Sequence, residues 1–118
     1  MNDDKTTISD LREEIRKFVE ERKWIKYHTP KNLAQAIQIE AAELSELFLF
    51  KEFSIDEIKS NSELLDSIKD EIADVFIYLL SFVNSLDLDL TRAFFAKMKK
   101  NKEKYPISEF NDGSYYKK

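Results

Sequence analysis

The sequence contains no cysteine, one glycine and one histidine among its 118 residues. Without cysteine the chain can form no disulfide, thiol nucleophile or thiolate metal site, which agrees with a reducing cytoplasm. The single glycine, Gly113, stands near the end, so no glycine-rich loop can bind a phosphate. The single histidine, His28, leaves one candidate base for a conventional Ser-His-Asp site. Chemistry on a phosphate would therefore depend on a metal ion and on lysine side chains.

Long apolar runs and an excess of positive charge are also missing. The longest apolar run, 75–80, is far too short to cross a bilayer, and the N-terminus has no signal-peptide pattern. The net charge is -4, which argues against nucleic acid or an anionic membrane as a partner. We therefore expect a cytoplasmic protein that binds neither. The length, with 42% hydrophobic residues, fits one domain with one modest core.

Helical periodicity runs through most of the chain, and no segment alternates like a strand, so the sequence predicts an all-α fold. We expect one domain over 1–106 and a C-terminal tail over 107–118 whose only turn signal is Asp112-Gly113. The first helix is expected to follow a cap at Thr7 or Ser9 and to run to about Lys23. The others are expected at about 30–50, 54–61, 63–86 and 90–104, with caps at Thr29, Ser54, Asn61-Ser62 and Asp89.

The apolar residues predict which side of each helix faces the core. The third long helix is apolar almost all round over 75–83, so we expect a partner subunit to cover one side of it. On the last helix Lys97 and Asn101 follow the side expected to face inward. The stripes predicted to be buried on these two helices are Leu64, Ile68, Ile72, Val75, Leu79, Phe82 and Leu86, and Leu90, Ala93, Phe94 and Met98.

Two of the helices carry acids on or beside their apolar stripes. Glu40 lies in the middle of the stripe of the second helix, and Glu43 lies at its edge. The next long helix repeats this pattern with Glu71 and Asp74. A carboxylate in a core is unfavourable unless something pairs with it, and carboxylates at i and i+3 are one turn apart on one face. Because Mg²⁺ prefers oxygen ligands, the two pairs predict a shared magnesium site.

Other interpretations of these acids remain. Acids at this spacing are most often surface groups of a charge-rich helix. A carboxylate-bridged di-iron bundle also uses inward acids, but it needs two Glu-x-x-His pairs, and this chain has one histidine. By pattern alone, Trp24, Tyr27 and His28 are favoured as rings that close the end of the core rather than as a stacking surface.

Four blocks in order along the chain resemble the all-α MazG-like nucleoside triphosphate pyrophosphohydrolases, in particular the branch that includes dCTP pyrophosphatase. The blocks are Trp24 with 28–33, then 40–48, 71–79 and 97–106. This resemblance implies a four-helix bundle-like MazG fold, assembled as a homodimer or homotetramer. It also implies hydrolysis of a nucleoside triphosphate to the monophosphate and pyrophosphate, with water as the nucleophile.

The resemblance also implies roles for individual residues. Mg²⁺, with Mn²⁺ as a substitute, would be held by Glu40, Glu43, Glu71 and Asp74, and the catalytic carboxylates would be Glu43 and, as an assistant, Glu46. Trp24, His28, Phe50 and Tyr78 would line the nucleoside pocket, and Lys97 and Asn101 would lie near the phosphates and sugar. Phe50 stands where the cytosine-preferring branch commonly has Trp, so dCTP is favoured only weakly. The alternatives are a dUTPase, a phosphoribosyl-ATP pyrophosphohydrolase or a non-catalytic helical oligomerisation module.

Overall fold

The computed structural model describes all 118 residues and contains five α-helices and no strand. The all-α prediction is therefore confirmed. No helix combines the length and the hydrophobicity needed to span a membrane. A 3-10 turn, Ile25–Tyr27, connects the first two helices. In chain order the helices are α1 (Ile8–Glu21), α2 (Pro30–Glu46), α3 (Ile55–Ser60), α4 (Ser62–Leu86) and α5 (Leu90–Lys104).

The helices begin at the residues whose side chains can cap them. At the start of α1, the hydroxyl of Thr7 accepts a hydrogen bond from the Asp10 N–H at 3.1 Å, and the Asp10 carboxylate accepts one from the Thr7 N–H at 2.9 Å. The Thr29 hydroxyl caps α2 by accepting a hydrogen bond from the Asn32 N–H at 3.2 Å, and Pro30 occupies the first turn, where the missing N–H is not needed. Ser54 and Asp89 cap α3 and α5. Local side-chain chemistry thus sets the helix starts.

The end of α2 differs from the prediction. The helix stops at Glu46 rather than Phe50, and tighter bonds follow, such as Lys51 N–H to Phe48 C=O at 3.0 Å. Phe50 adopts a left-handed backbone with φ of 58°, which ends any right-handed helix. Leu47 and Phe48 nevertheless stay half-buried. The apolar pattern therefore continued past the last helical turn and made the helix seem longer.

Residues 1–86 form one compact unit in which α1, α2 and α3 pack on α4, with α2 making the largest contact. The predicted stripe of α4 is partly wrong, because Ile72, Leu79 and Leu86 are about half exposed. Periodicity could not fix the orientation of a helix that is apolar on nearly every side. The buried apolar residues of this unit are Val19, Leu33, Ile68, Leu80 and Val83.

Residues 87–118 form a second compact unit, containing α5 and the segment that follows it. Phe94, predicted to face inward, is 56% exposed. After α5, the ring of Phe110 lies 5.3 Å from that of Tyr105 and 5.0 Å from that of Tyr116. Gly113 provides the left-handed residue of the turn predicted at 112–113, with φ of 86°. The division into a domain ending at 106 and a tail stays a prediction.

Candidate functional site

Three carboxylates meet where α2 packs on α4. Glu40 and Glu43 from α2 and Glu71 from α4 each place a carboxylate oxygen within 4.8 Å of the others. These three residues are called the acidic cluster below. Glu40 and Glu71 are half-buried, whereas Glu43 is exposed. The i, i+3 spacing on α2 and the packing of α4 together bring the three side chains into one group.

Two oxygens of the acidic cluster lack any partner within the protein. Glu40 Oε2 and Glu71 Oε2 are both buried and accept no hydrogen bond. Burying a carboxylate oxygen without a compensating interaction is unfavourable, and most buried polar atoms in proteins are satisfied. A group of converging carboxylate oxygens is also the ligand set that Mg²⁺ or Mn²⁺ prefers. The orphaned oxygens therefore fit a divalent cation as their missing partner.

The electrostatics of the acidic cluster follow from its crowding. Burial, the contact with Glu43 and the charges of Asp74 and Glu71 together raise the pKa of Glu40 to about 7. Burial, followed by the charges of Glu43 and Asp74, also raises the pKa of Glu71. Without a cation, the folded protein therefore retains protons that ordinary glutamates would have lost at neutral pH.

The other two acids assigned to the site lie at the margins of the cluster. Asp74 is exposed, one turn after Glu71 on α4, and its charge acts on both Glu40 and Glu71. Glu46 is exposed at the end of α2 and lies outside the group of three. It lines a separate polar cleft of about 350 Å³ that also contains Lys51 and Glu63.

A second feature adjoins the cluster at Asp74. A cleft of about 380 Å³ between α1, α4 and the segment after α1 is lined by Asp74, Trp24, His28 and Tyr78. It is called the ring-lined cleft below. Trp24 is 43% exposed, so its ring is open to solvent and to a ligand. Burial lowers the pKa of His28, which keeps the imidazole neutral near pH 7.

Residues of α1 that the sequence did not single out also line the ring-lined cleft. They include Phe18, 47% exposed, and Glu14 one turn before it. The Phe18 and Trp24 rings meet edge to face, with centroids 5.7 Å apart. In the sequence Phe18 looks like an ordinary apolar residue of an amphipathic helix. Its helical spacing gave no sign that the segment after α1 would return alongside it.

Three candidates remain, namely Phe50 after α2 and Lys97 and Asn101 on α5. Phe50 is 99% exposed at the turn after α2 and does not line the ring-lined cleft. Lys97 and Asn101 lie one turn apart on α5, in the second compact unit, where Lys97 is exposed and Asn101 is half-buried. Their assignments to the nucleoside, the phosphates and the sugar stay predictions.

The sequence is similar to curated proteins named dCTP pyrophosphatase 1 from several mammals. The rat protein is 33% identical over 102 residues, which make up 86% of this chain and 60% of the relative. The human protein is 34% identical over 101 residues, covering 85% of this chain and 59% of the relative. The chain thus spans about 60% of the length of the curated relatives it matches.

The fold is similar to that of a solved structure with a related sequence. A pyrophosphatase from Archaeoglobus fulgidus DSM 4304 superposes with a TM-score of 0.76 and 41% identity, over 84% of this chain and 92% of that one. The model of the MazG-like family matches residues 35–117, which include all of the acidic cluster. From its sequence and its fold, the chain belongs to the MazG-like family.

Proposed function

We propose that the protein is a Mg²⁺-dependent nucleoside triphosphate pyrophosphohydrolase that acts on deoxynucleotides, dCTP among them. The observation that carries this proposal is the pair of orphaned carboxylate oxygens, Glu40 Oε2 and Glu71 Oε2, in a cluster beside a cleft lined by rings. A triphosphate needs a cation at its charged end and a flat apolar surface at its base. The names of the relatives, dCTP pyrophosphatase 1 and a pyrophosphatase, support the same activity.

The acidic residues would position the reacting groups. Mg²⁺, with Mn²⁺ as a substitute, would be held by Glu40, Glu43, Glu71 and Asp74. The carboxylate oxygens of the first three converge, and the charge of Asp74 acts on Glu40 and Glu71. The cation, when bound, neutralises phosphate charge and lowers the pKa of a water molecule. Glu43 is the exposed member of the cluster, so it is the carboxylate we assign to orienting the water. Glu46, one turn further along α2, is the second candidate for this role.

The bond changes balance without any further reactant. The water oxygen would attack phosphorus, and the bond between the α and β phosphates would break. The bridging oxygen leaves with the other phosphate, and the water proton goes to the surrounding carboxylates or solvent. The products are a nucleoside monophosphate and pyrophosphate. Lys97 is proposed as a point charge for the phosphates, and Asn101 as a contact to the sugar.

The ring-lined cleft is the part of the protein that we assign to the nucleoside. Trp24 and Tyr78 would contact the base and exclude water, and neutral His28 can either donate or accept one hydrogen bond. Phe50, whose ring is almost wholly exposed, would be available to a nucleotide bound by another copy of the chain. A role in maintaining nucleotide pools would suit a cytoplasmic location.

A second copy of the chain is also proposed, as a homodimer or homotetramer. An apolar strip of α4 formed by Ile72, Phe76 and Leu79 is between 37% and 52% exposed. Such a continuous strip is unfavourable in water and typical of a subunit interface. Light scattering coupled to size-exclusion chromatography measures the mass directly, and a monomer at micromolar concentration would contradict this part of the proposal.

A panel of dCTP, dUTP, dATP and phosphoribosyl-ATP, with and without Mg²⁺, tests the proposed activity. We expect Mg²⁺-dependent release of pyrophosphate and a monophosphate from a deoxynucleotide. Release of orthophosphate would contradict the assigned bond. Preference for dUTP or phosphoribosyl-ATP would assign the chain to another substrate, and turnover of none would leave a helical oligomerisation module.

A further inference from the structure

The ring-lined cleft contains one charged residue that the proposed reaction does not use. Asp74 is assigned to the cation, but Glu14 on α1 lines the same cleft and has no assigned role. Glu14 makes no hydrogen bond or ion pair within the chain, whereas its neighbour Glu13 contacts Arg16 at 2.6 Å. A carboxylate without a partner at the wall of an aromatic cleft is suited to accept hydrogen bonds from a ligand.

Among the polar groups of the cleft, Glu14 differs in what it can do. The side chains of His28 and Tyr78 can each donate or accept a hydrogen bond, so they tolerate either kind of group on a base. The Ser81 hydroxyl is already engaged with the Ile77 carbonyl at 2.9 Å. An ionised glutamate only accepts, and it repels another acceptor. Because Asp74, the other carboxylate of the cleft, is assigned to the cation, Glu14 is the remaining acceptor-only group, and it can distinguish a donor from an acceptor at the edge of a bound base.

The edges of the pyrimidines differ in this respect. Cytosine carries an exocyclic amino group, whereas uracil and thymine carry a carbonyl oxygen at the same position, and glutamate pairs with the cytosine amino group. The aromatic wall formed by Phe18 and Trp24 would accept the face of any base and would not discriminate among them. Stacking on these rings therefore contributes affinity for any base, whereas the Glu14 carboxylate would discriminate cytosine from uracil and thymine.

We propose that Glu14 is a specificity-determining residue that accepts a hydrogen bond from the exocyclic amino group of the base, so that the cleft selects cytosine over uracil and thymine. This inference rests on the proposed function, because it assumes that the cleft holds the base of a nucleotide. It assigns the selection to α1, whereas Asp74 and Tyr78, which line the same cleft, belong to α4. The adenine amino group could use the same contact.

Glu14→Gln tests this assignment because glutamine keeps the size of the side chain and adds a donor. We expect the wild-type protein to prefer dCTP to dUTP in kcat/KM. The variant should reduce that ratio roughly tenfold, since a well-made polar contact to a base discriminates by about that factor. Glu13→Gln is the matched control, because it removes the same charge one residue away and outside the cleft. Its ratio should match the wild type.

A binding measurement separates this inference from the proposed activity. Calorimetric titration with dCMP and dUMP needs no turnover, and Glu14→Gln should lose the preference for dCMP there as well. If no deoxynucleotide is hydrolysed, the proposed function fails, and the two monophosphates still decide the role of Glu14. Equal handling of cytosine and uracil by the wild type, or an unchanged ratio in Glu14→Gln, would overturn the assignment.

Discussion

The acidic cluster and the ring-lined cleft adjoin at Asp74, yet they differ in their effect on the stability of the folded protein. The cluster concentrates like charges and leaves Glu40 Oε2 and Glu71 Oε2 without partners. The cleft instead contains rings such as Phe18 and Trp24 that contact one another favourably. The cluster is therefore a site where stability is reduced in the absence of a ligand, as is common at functional sites. Removing a charge from the cluster should therefore stabilise the metal-free protein, whereas removing a ring from the cleft should destabilise it.

The largest effect is expected in the acidic cluster. Glu71→Gln should lower kcat/KM at least roughly a hundredfold, because a ligand of the proposed cation is lost. The same change should raise the melting temperature of the metal-free protein, since it removes a buried charge that repels its neighbours. Asp66→Asn, which changes an exposed acid on α4 whose charge does not act on Glu40 or Glu71, is the control and should do neither. Loss of both activity and stability in Glu71→Gln would contradict the difference between the two regions.

The pH dependence of stability follows from the raised pKa of Glu40. The folded state binds this proton more tightly than the unfolded chain, so the free energy of unfolding should fall as pH rises between 4.5 and about 7. This contribution is fully present below that range and absent above it. Thermal unfolding of the metal-free protein across the range measures it, with Glu40→Gln as the reference. The wild type should lose more stability than the variant, and parallel curves would contradict the crowding of the cluster.

In the ring-lined cleft a smaller and different effect is expected. Trp24→Ala should raise KM roughly tenfold and change kcat less, because a ring stacked on a base contributes to binding more than to the reaction. Cation binding should not change. Tyr27→Ala removes a ring that is 58% exposed in the same segment but outside the cleft, and it should keep the wild-type KM. A fall in kcat with constant KM would show that Trp24 acts on the chemistry.

The smallest effect is expected at the turn that follows α1, directly before Trp24 of the ring-lined cleft. Lys23, just before Trp24, has a left-handed backbone with φ of 57°, which an L side chain adopts at a cost. Lys23→Gly should raise the free energy of unfolding by up to about 1 kcal/mol and leave kcat/KM unchanged. Chemical denaturation measures it. A destabilised protein would indicate that the lysine side chain makes contacts that matter more than the turn.

The two regions also differ in how far the sequence could predict them. The acidic cluster was predicted because Glu40 interrupts an apolar stripe, and helical geometry fixes its relation to Glu43. That Glu71 would approach Glu40 rested on the similarity of the two helices and on the family resemblance. The structure brings these three acids together, whereas their roles as ligands stay predictions.

The cleft depended on tertiary structure. Glu14 and Phe18 look like ordinary positions of an amphipathic helix, and no local pattern indicates which segment will pack beside them. The orientation of α4 could not be predicted either, because its apolar residues lie on nearly every side. The sequence gives no reason to bury Leu80 rather than Leu79, yet Leu80 is buried and Leu79 is exposed. Caps such as Thr7 were predictable because they depend on neighbouring residues alone.

The central claim is that the acidic cluster binds a divalent cation. Calorimetric titration of the metal-free protein with Mn²⁺ near neutral pH, in buffers of different ionisation enthalpy, tests it most directly. We predict saturable binding with release of protons, because Glu40 must lose its proton to become a ligand, and loss of that binding in Glu71→Gln. No binding to the wild type, or equal binding to both proteins, would contradict the claim.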